Sequence, residues 1–302
     1  MKRQIGGILP ALVTPFKGDG SLNTETAGRL VETLLGEGVH GFYVAGSTGE
    51  CFLMDTAERK KLLEAVLEAN RGRGLVIAHI GAMATRDAVE LARHAADRGV
   101  DAVSAVPPFY FRYRVDELVG YYRDIVDHVA APLMIYNIPI LSGVSIGLDN
   151  AAELMADPRI AGIKWSSSDF YQMERIKSRF PRLAVMNGFD EMCLAGLATG
   201  ASGAIGSTYN FMGKRFVRIR ELVAAGRVEE ARPLQAQANE IIAALLEIGP
   251  NAAVKAILRR RGIDVGQCRP PFRPLDPDRE RALLDTVDRV EAGAGQADGT
   301  KR

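Results

Sequence analysis

Eight short apolar runs recur along the first two-thirds of this chain, and each is apolar at successive positions, not at every second one. They are ILPALVT (8–14), GFYVAGS (41–47), LVIAHIG (75–81), AVSAVPP (102–108), LMIYNIP (133–139), IAGIKWS (160–166), LAVMNGF (183–189) and GAIGSTY (203–209). A strand with one wet face alternates. A strand that is apolar throughout must be covered on both faces, as in a parallel sheet flanked by helices.

Amphipathic stretches fill the gaps between most runs. Thr56 to Ala69 and Thr85 to Asp97 are the clearest, and each is expected to open on its threonine as N-cap, with an acidic residue soon after. Eight strand–helix units in roughly 220 residues predict a (β/α)8 TIM barrel, an α/β fold. A doubly wound sheet is the competitor. No GxGxxG follows a strand, however, the repeat at Gly200, Gly203 and Gly206 has the wrong spacing, and no P-loop is present. The barrel is expected over 1–225. A C-terminal helical extension over 226–291 carries helical patterns at 238–248, 252–261 and 279–291, and a disordered tail is expected over 292–302.

The 302 residues are 47% hydrophobic and 25% charged with a formal net charge of +1, the proportions of a soluble globular chain. That balance offers no electrostatic case for nucleic acid or an anionic membrane as partner. The run Arg259-Arg260-Arg261 reads as a solvated helical face. Cys51, Cys193 and Cys268 are far apart and odd in number, which suits a reducing compartment better than a disulfide framework. No Cys/His pair has zinc-ligand spacing. Pro10 and Pro15 interrupt the apolar N-terminal run, which argues against a signal peptide, and no run of about 18 apolar residues exists. A cytoplasmic enzyme is expected.

In such a barrel the chemistry lies at the C-terminal ends of the strands. The second strand ends in Gly46-Ser47-Thr48-Gly49-Glu50, the fourth in Pro108-Phe109-Tyr110, the fifth in Tyr136-Asn137. The sixth ends in Lys164 with Ser166 and Ser167 beyond, the seventh in Gly188-Phe189-Asp190-Glu191, and the eighth in Ser207. Each has a plain structural alternative. Lys164 could belong to a buried ion pair, Gly-Ser-Thr-Gly to a tight turn, Asp190 and Glu191 to a helix start, and Tyr136 and Tyr110 to the core.

The histidines are His40, His79, His94 and His128, and none is placed beside a nucleophile or a carboxylate pair. That argues against a histidine triad or a zinc hydrolase and leaves amine chemistry. A lysine in a water-poor pocket loses proton affinity, because its charged form is poorly solvated. A neutral amine can attack a ketone, and the resulting iminium is an electron sink that permits carbon–carbon cleavage without a cofactor.

The markers Gly46-Ser47-Thr48-Gly49-Glu50, Pro108-Phe109-Tyr110, Tyr136-Asn137-Ile138-Pro139, the lysine of the sixth strand and Gly206-Ser207-Thr208-Tyr209-Asn210 occur in order along the eight predicted strands. In these the chain resembles the pyruvate-dependent class I aldolases of the dihydrodipicolinate synthase and N-acetylneuraminate lyase superfamily. Three features resemble the lyase branch. Leu141 stands where the synthases place an arginine, Gly188-Phe189-Asp190-Glu191 is similar to the lyases' G-Y-D-E, and the segments after Lys164 and Ser207 match in detail.

The resemblance implies reversible cleavage of N-acetylneuraminate to N-acetylmannosamine and pyruvate, with no cofactor beyond the covalent Schiff base on Lys164. Ser47 and Thr48 would hold the 2-oxo acid's carboxylate, and Tyr136 would shuttle the proton. Tyr110 would join the relay of a neighbouring subunit in a homo-oligomer, a tetramer in the family. Gly188, Asp190, Glu191 and Ser207 would bind the polyol, with Ser166 beside the cleaving bond. Trp165, Ser166 and Asn251 depart from the lyase pattern and bear on which sugar acid is preferred. The alternatives are an aldolase or dehydratase for another 2-oxo-3-deoxy sugar acid, dihydrodipicolinate synthase, and a silent sugar-acid binding protein.

Overall fold

All eight apolar runs become strands, each shorter than its run, and after the first the end of the run that leaves the sheet carries a glycine, proline or serine that begins the next loop. The computed structural model describes residues 3–299. The strands are β1 (Gly7–Pro10), β2 (Gly41–Val44), β3 (Leu75–His79), β4 (Ala102–Ala105), β5 (Leu133–Asn137), β6 (Ile160–Trp165), β7 (Ala184–Asn187) and β8 (Gly203–Gly206). All pair in parallel in the order β1-β8-β7-β6-β5-β4-β3-β2. An Ala11–Tyr43 bridge brings the ends together, and the Leu12 N–H donates to the Tyr43 carbonyl at 3.0 Å. The chain is a (β/α)8 barrel.

Helices α1 (Thr24–Gly36), α2 (Thr56–Asn70), α3 (Thr85–Asp97) and α4 (Val115–His128) follow the first four strands. After them come α5 (Pro139–Ser142), α6 (Leu148–Ala156), α7 (Phe170–Arg179), α8 (Cys193–Ala198) and α9 (Tyr209–Ala224). The extension consists of α10 (Val228–Ile248), α11 (Pro250–Arg260) and α12 (Pro277–Gly299). Among the described residues no single helix is long and apolar enough to cross a membrane.

Two sequence expectations change here. Thr56 and Thr85 are first helical residues, not caps. Asp55 caps α2, accepting from the Glu58 N–H at 2.8 Å while the Glu58 carboxylate accepts from the Asp55 N–H at 3.2 Å. This reciprocal box satisfies two backbone donors and moves the cap back one residue. At α3 the cap position is Ala84, with no side-chain bond. The stretch expected as a tail continues α12 as far as Gly299, and its last three residues lie outside the described ones. Burial of Leu283, Val287 and Val290 anchors the helix, and extending an existing helix costs far less than starting one.

Successive strand residues point to opposite faces. Leu9, Tyr43, Ile77, Met134, Tyr136, Met186 and Ile205 fill the barrel interior. Phe42, Val44, Val103, Ile135, Ile163, Trp165 and Val185 pack between sheet and helices. This parity decides what each side chain of the sixth strand can do.

Candidate active site

On β6, Lys164 points into the barrel and Trp165 points out. Lys164 stands in register with Tyr136 of β5 and Met186 of β7, and is 5% exposed. Its Nζ lies 4.1 Å from the centre of the Tyr136 ring and 4.8 Å from that of Tyr43. Among the described residues it has neither hydrogen bond nor ion pair. The structural alternative for this lysine therefore has no partner to rest on. Trp165 is 1% exposed and donates its Nε1–H to the Asp169 carbonyl at 3.1 Å. It belongs to the layer between sheet and helices and does not line the mouth.

Three rings wall the lysine. Tyr43 and Tyr136 meet edge-on at 6.0 Å, and His79 is 5.9 and 6.0 Å from them. The Tyr43 hydroxyl donates to Ser104 Oγ at 3.0 Å, and burial pushes its proton affinity up. His79 Nδ1 lies 2.9 Å from the Ala45 carbonyl, while its Nε2 accepts from the Val106 N–H at 3.3 Å. Both nitrogens are thus committed. Burial and the neighbouring Arg59 keep the ring neutral, its pKa held well below the usual histidine range. Arg59 is itself buried and donates to the carbonyls of His79 (2.8 Å) and Gly81 (3.0 Å), with no carboxylate partner among the described residues. Sequence reasoning missed Tyr43, Ser104 and Arg59 as neighbours of the site. The inward parity of Tyr43 and Ser104 was the available signal.

The loop after β2 is pinned from several sides. Thr48 Oγ1 and Ser207 Oγ are 2.6 Å apart, joining the second and eighth strand ends. Thr14 donates to the Gly49 carbonyl at 2.6 Å and Asn251 to the Ser47 carbonyl at 3.3 Å. Glu50 sits in the left-handed region at φ 57°. Its Oε1 lies 2.6 Å from Lys255 Nζ, both side chains fully buried, and its Oε2 accepts from the Arg269 N–H at 2.8 Å. Among the described residues the fully buried ion pair is Glu50–Lys255.

Beyond Lys164, Ser166 is buried and its Oγ has no hydrogen-bond partner. It lies against Gly188, where an added Cβ would stand 2.0 Å from that oxygen, so only glycine fits there. Asp190 Oδ2 accepts from the N–H and the hydroxyl of Thr208, both at 2.7 Å. Its Oδ1 side abuts Gly206, where a Cβ would stand 1.8 Å away. Burial raises its pKa to about 6 in spite of those two bonds. Glu191 is partly exposed. Gln235 and Asn239 of α10 donate to the Asp190 and Glu191 carbonyls, each at 3.1 Å, so the extension shapes this loop too.

The structure thus gathers Lys164 and Tyr136, with Thr48 and Ser207 bonded to each other and Ser166, Gly188 and Asp190 at the neighbouring strand ends. Tyr110 lies outside this cluster. It is 86% exposed, adopts φ 76°, and its ring contacts Phe111 at 5.1 Å. Leu141 is 63% exposed on α5. In chemical terms the mouth holds one primary amine beside hydroxyls and the Asp190 carboxylate, whose proton affinity burial raises. That is a place for an anionic carbonyl compound.

The sequence pattern of the dihydrodipicolinate synthetase family matches residues 4–290. The chain belongs to this family. It is 45% identical over 284 residues to an N-acetylneuraminate lyase of Rhizobium meliloti (strain 1021), covering 94% of this chain and 95% of that protein. To an N-acetylneuraminate lyase of Citrobacter koseri it is 41% identical over 278 residues, covering 91% and 94%. Among solved family structures, the wild-type sialic acid aldolase of Ruminococcus gnavus superposes with a TM-score of 0.93 at 32% identity, over 96% of this chain and 98% of that one. CdNal from Clostridium difficile, solved in complex with mannosamine, superposes with a TM-score of 0.92 at 34% identity, over 95% and 100%.

Proposed function

We propose that this family member is a Schiff-base aldolase that reversibly cleaves N-acetylneuraminate to N-acetylmannosamine and pyruvate. The observation that carries the reading is Lys164 itself: a buried amine at the C-terminal end of β6, walled by aromatic rings and with no ion-paired carboxylate among the described residues. The names borne by the relatives support the substrate.

In this reading the Lys164 amine adds to the 2-oxo carbon, and loss of water leaves an iminium. Ser47 and Thr48 hold the adjacent carboxylate through hydroxyl and backbone donors. Tyr136, next to Lys164 across the β5–β6 ladder, shuttles the proton of the hydroxyl at the far carbon of the breaking bond, taking it up as its own phenolic proton passes to the substrate's carboxylate. Electrons from that bond flow into the iminium, the sugar aldehyde leaves, and protonation and hydrolysis of the enamine release pyruvate. Water and protons supply everything else, so no separate cofactor enters. Ser166, Gly188, Asp190, Glu191 and Ser207 orient the polyol.

Tyr110 and Phe111, 86% and 65% exposed, with Ile140 and Leu141 also exposed after β5, offer apolar surface that suits a second copy of the chain. This supports a homo-oligomer, a tetramer by family resemblance, in which Tyr110 completes a neighbour's site. All three cysteines are free, which fits the cytoplasm.

Borohydride reduction with pyruvate, followed by peptide mass mapping, tests the chemistry. An adduct on Lys164 is expected, and an adduct elsewhere or none overturns the Schiff base. Turnover across a panel of 2-oxo-3-deoxy sugar acids tests the substrate. Fast cleavage of another acid beside negligible N-acetylneuraminate cleavage overturns the sugar assignment and leaves the mechanism standing.

A further inference from the structure

The opposite end of the barrel carries a second feature. At the N-terminal ends of β1, β2, β3 and β8 a cavity of about 530 Å³ is lined by Arg3, His40, Arg73, Lys177 and Arg220, with no acidic side chain in its wall. Arg73 is paired with Glu32 at 2.5 Å. Arg3, Lys177 and Arg220 have no carboxylate partner among the described residues: Arg3 donates to the Gly72 carbonyl, and Lys177 to the carbonyls of Pro181 and Leu183.

His40 makes the cavity more than a basic patch. Its Nδ1 faces the Ile8 N–H at 3.2 Å, and its Nε2 faces Arg220 Nη1 at 3.4 Å. The Ile8 proton is fixed by the backbone, so Nδ1 is the acceptor and the ring proton sits on Nε2. Nε2–H and the guanidinium are then two donors facing each other, with no acceptor for either among the described residues. The side chain packs directly against Gly7, where an added Cβ would come within 2.4 Å of it. An oxyanion placed between these donors accepts from both, and the surrounding cations favour a doubly charged one with tetrahedral oxygens.

We propose that the base of the barrel is a binding site for a phosphate-class dianion, separate from the Lys164 mouth. The cavity is far larger than the roughly 30 Å³ that one water occupies in the liquid, so a phosphomonoester fits as readily as inorganic phosphate. Calorimetric titration of the full-length wild type with inorganic phosphate, at ionic strength matched with sodium chloride, is expected to show one saturable site. Arg220→Gln and the more exposed Arg3→Gln should each weaken binding at least fivefold and leave kcat on the aldol substrate unchanged. Glucose 6-phosphate as second titrant separates the sources: tighter binding than phosphate marks an organic phosphate, and equal or weaker binding marks the free anion. No saturable binding, or unaltered affinity in both folded variants, overturns the proposal.

Discussion

Lys255 Nζ lies 2.6 Å from Glu50 Oε1, joining α11 to the loop after β2 through an ion pair with no solvent exposure. The same loop carries Ser47 and Thr48, and Asn251, one turn before Lys255, donates to the Ser47 carbonyl. The helical extension is therefore part of the scaffold that shapes the mouth.

Breaking this pair from one side leaves a buried charge uncompensated. Lys255→Met should cost about 3–5 kcal/mol of stability. The double variant Glu50→Gln/Lys255→Met should recover much of that loss. Denaturant unfolding of the three proteins checks this, and a double variant no more stable than the single one would show that the charges are not coupled.

Among the described residues Lys164 has no hydrogen-bond or ion-pair partner to strand, so its removal should separate chemistry from folding. Lys164→Ala should lower turnover by on the order of 10⁴-fold or more, with circular dichroism and melting temperature at or above the wild-type values. Retained turnover would contradict its role as nucleophile.

Asp190 provides a pH signature. Its folded pKa is about 6, raised from the ordinary 3.8 chiefly by burial. The folded state therefore binds more protons than the unfolded one between these values, and this group's contribution to stability falls as pH rises from about 4 to about 6. Across that window the loss is on the order of 2–3 kcal/mol. Asp190→Asn should abolish this component, so the difference in unfolding free energy between variant and wild type should grow with pH and level off above pH 6. A difference independent of pH would refute the assignment.

Trp165 faces the helices. Trp165→Phe should cost about 1–3 kcal/mol through lost volume and the lost bond to Asp169. The ranking of sugar acids by kcat/KM should not change. A reordered ranking would place the indole in the pocket after all.

Much of the site was legible because strand parity and barrel polarity are local rules. Eight continuous apolar runs implied a sheet covered on both faces, and the C-terminal ends of the strands were then the place to look. Lys164, Tyr136, Thr48 and Ser207 were found that way. Trp165 looked ambiguous only until parity was applied to it: if Lys164 faces in, its neighbour faces out. Helix caps were less legible, since Asp55 and Thr56 are both good caps and only the reach of Glu58 back to the Asp55 N–H decides between them.

What sequence alone determined is therefore the barrel, its direction and the one amine at its mouth, all consequences of spacing over a few residues. Tertiary structure decided which polar groups are used up and which are left free. Glu50 is consumed by Lys255 and one oxygen of Asp190 by Thr208, Thr48 and Ser207 are held together by a single hydroxyl–hydroxyl bond, and among the described residues Lys164 and Ser166 Oγ keep no hydrogen-bond partner. Those pairings join residues from 18 to more than 200 positions apart. Nothing in local propensity encodes them, because each depends on two strand ends or a returning helix arriving within about 3 Å of each other.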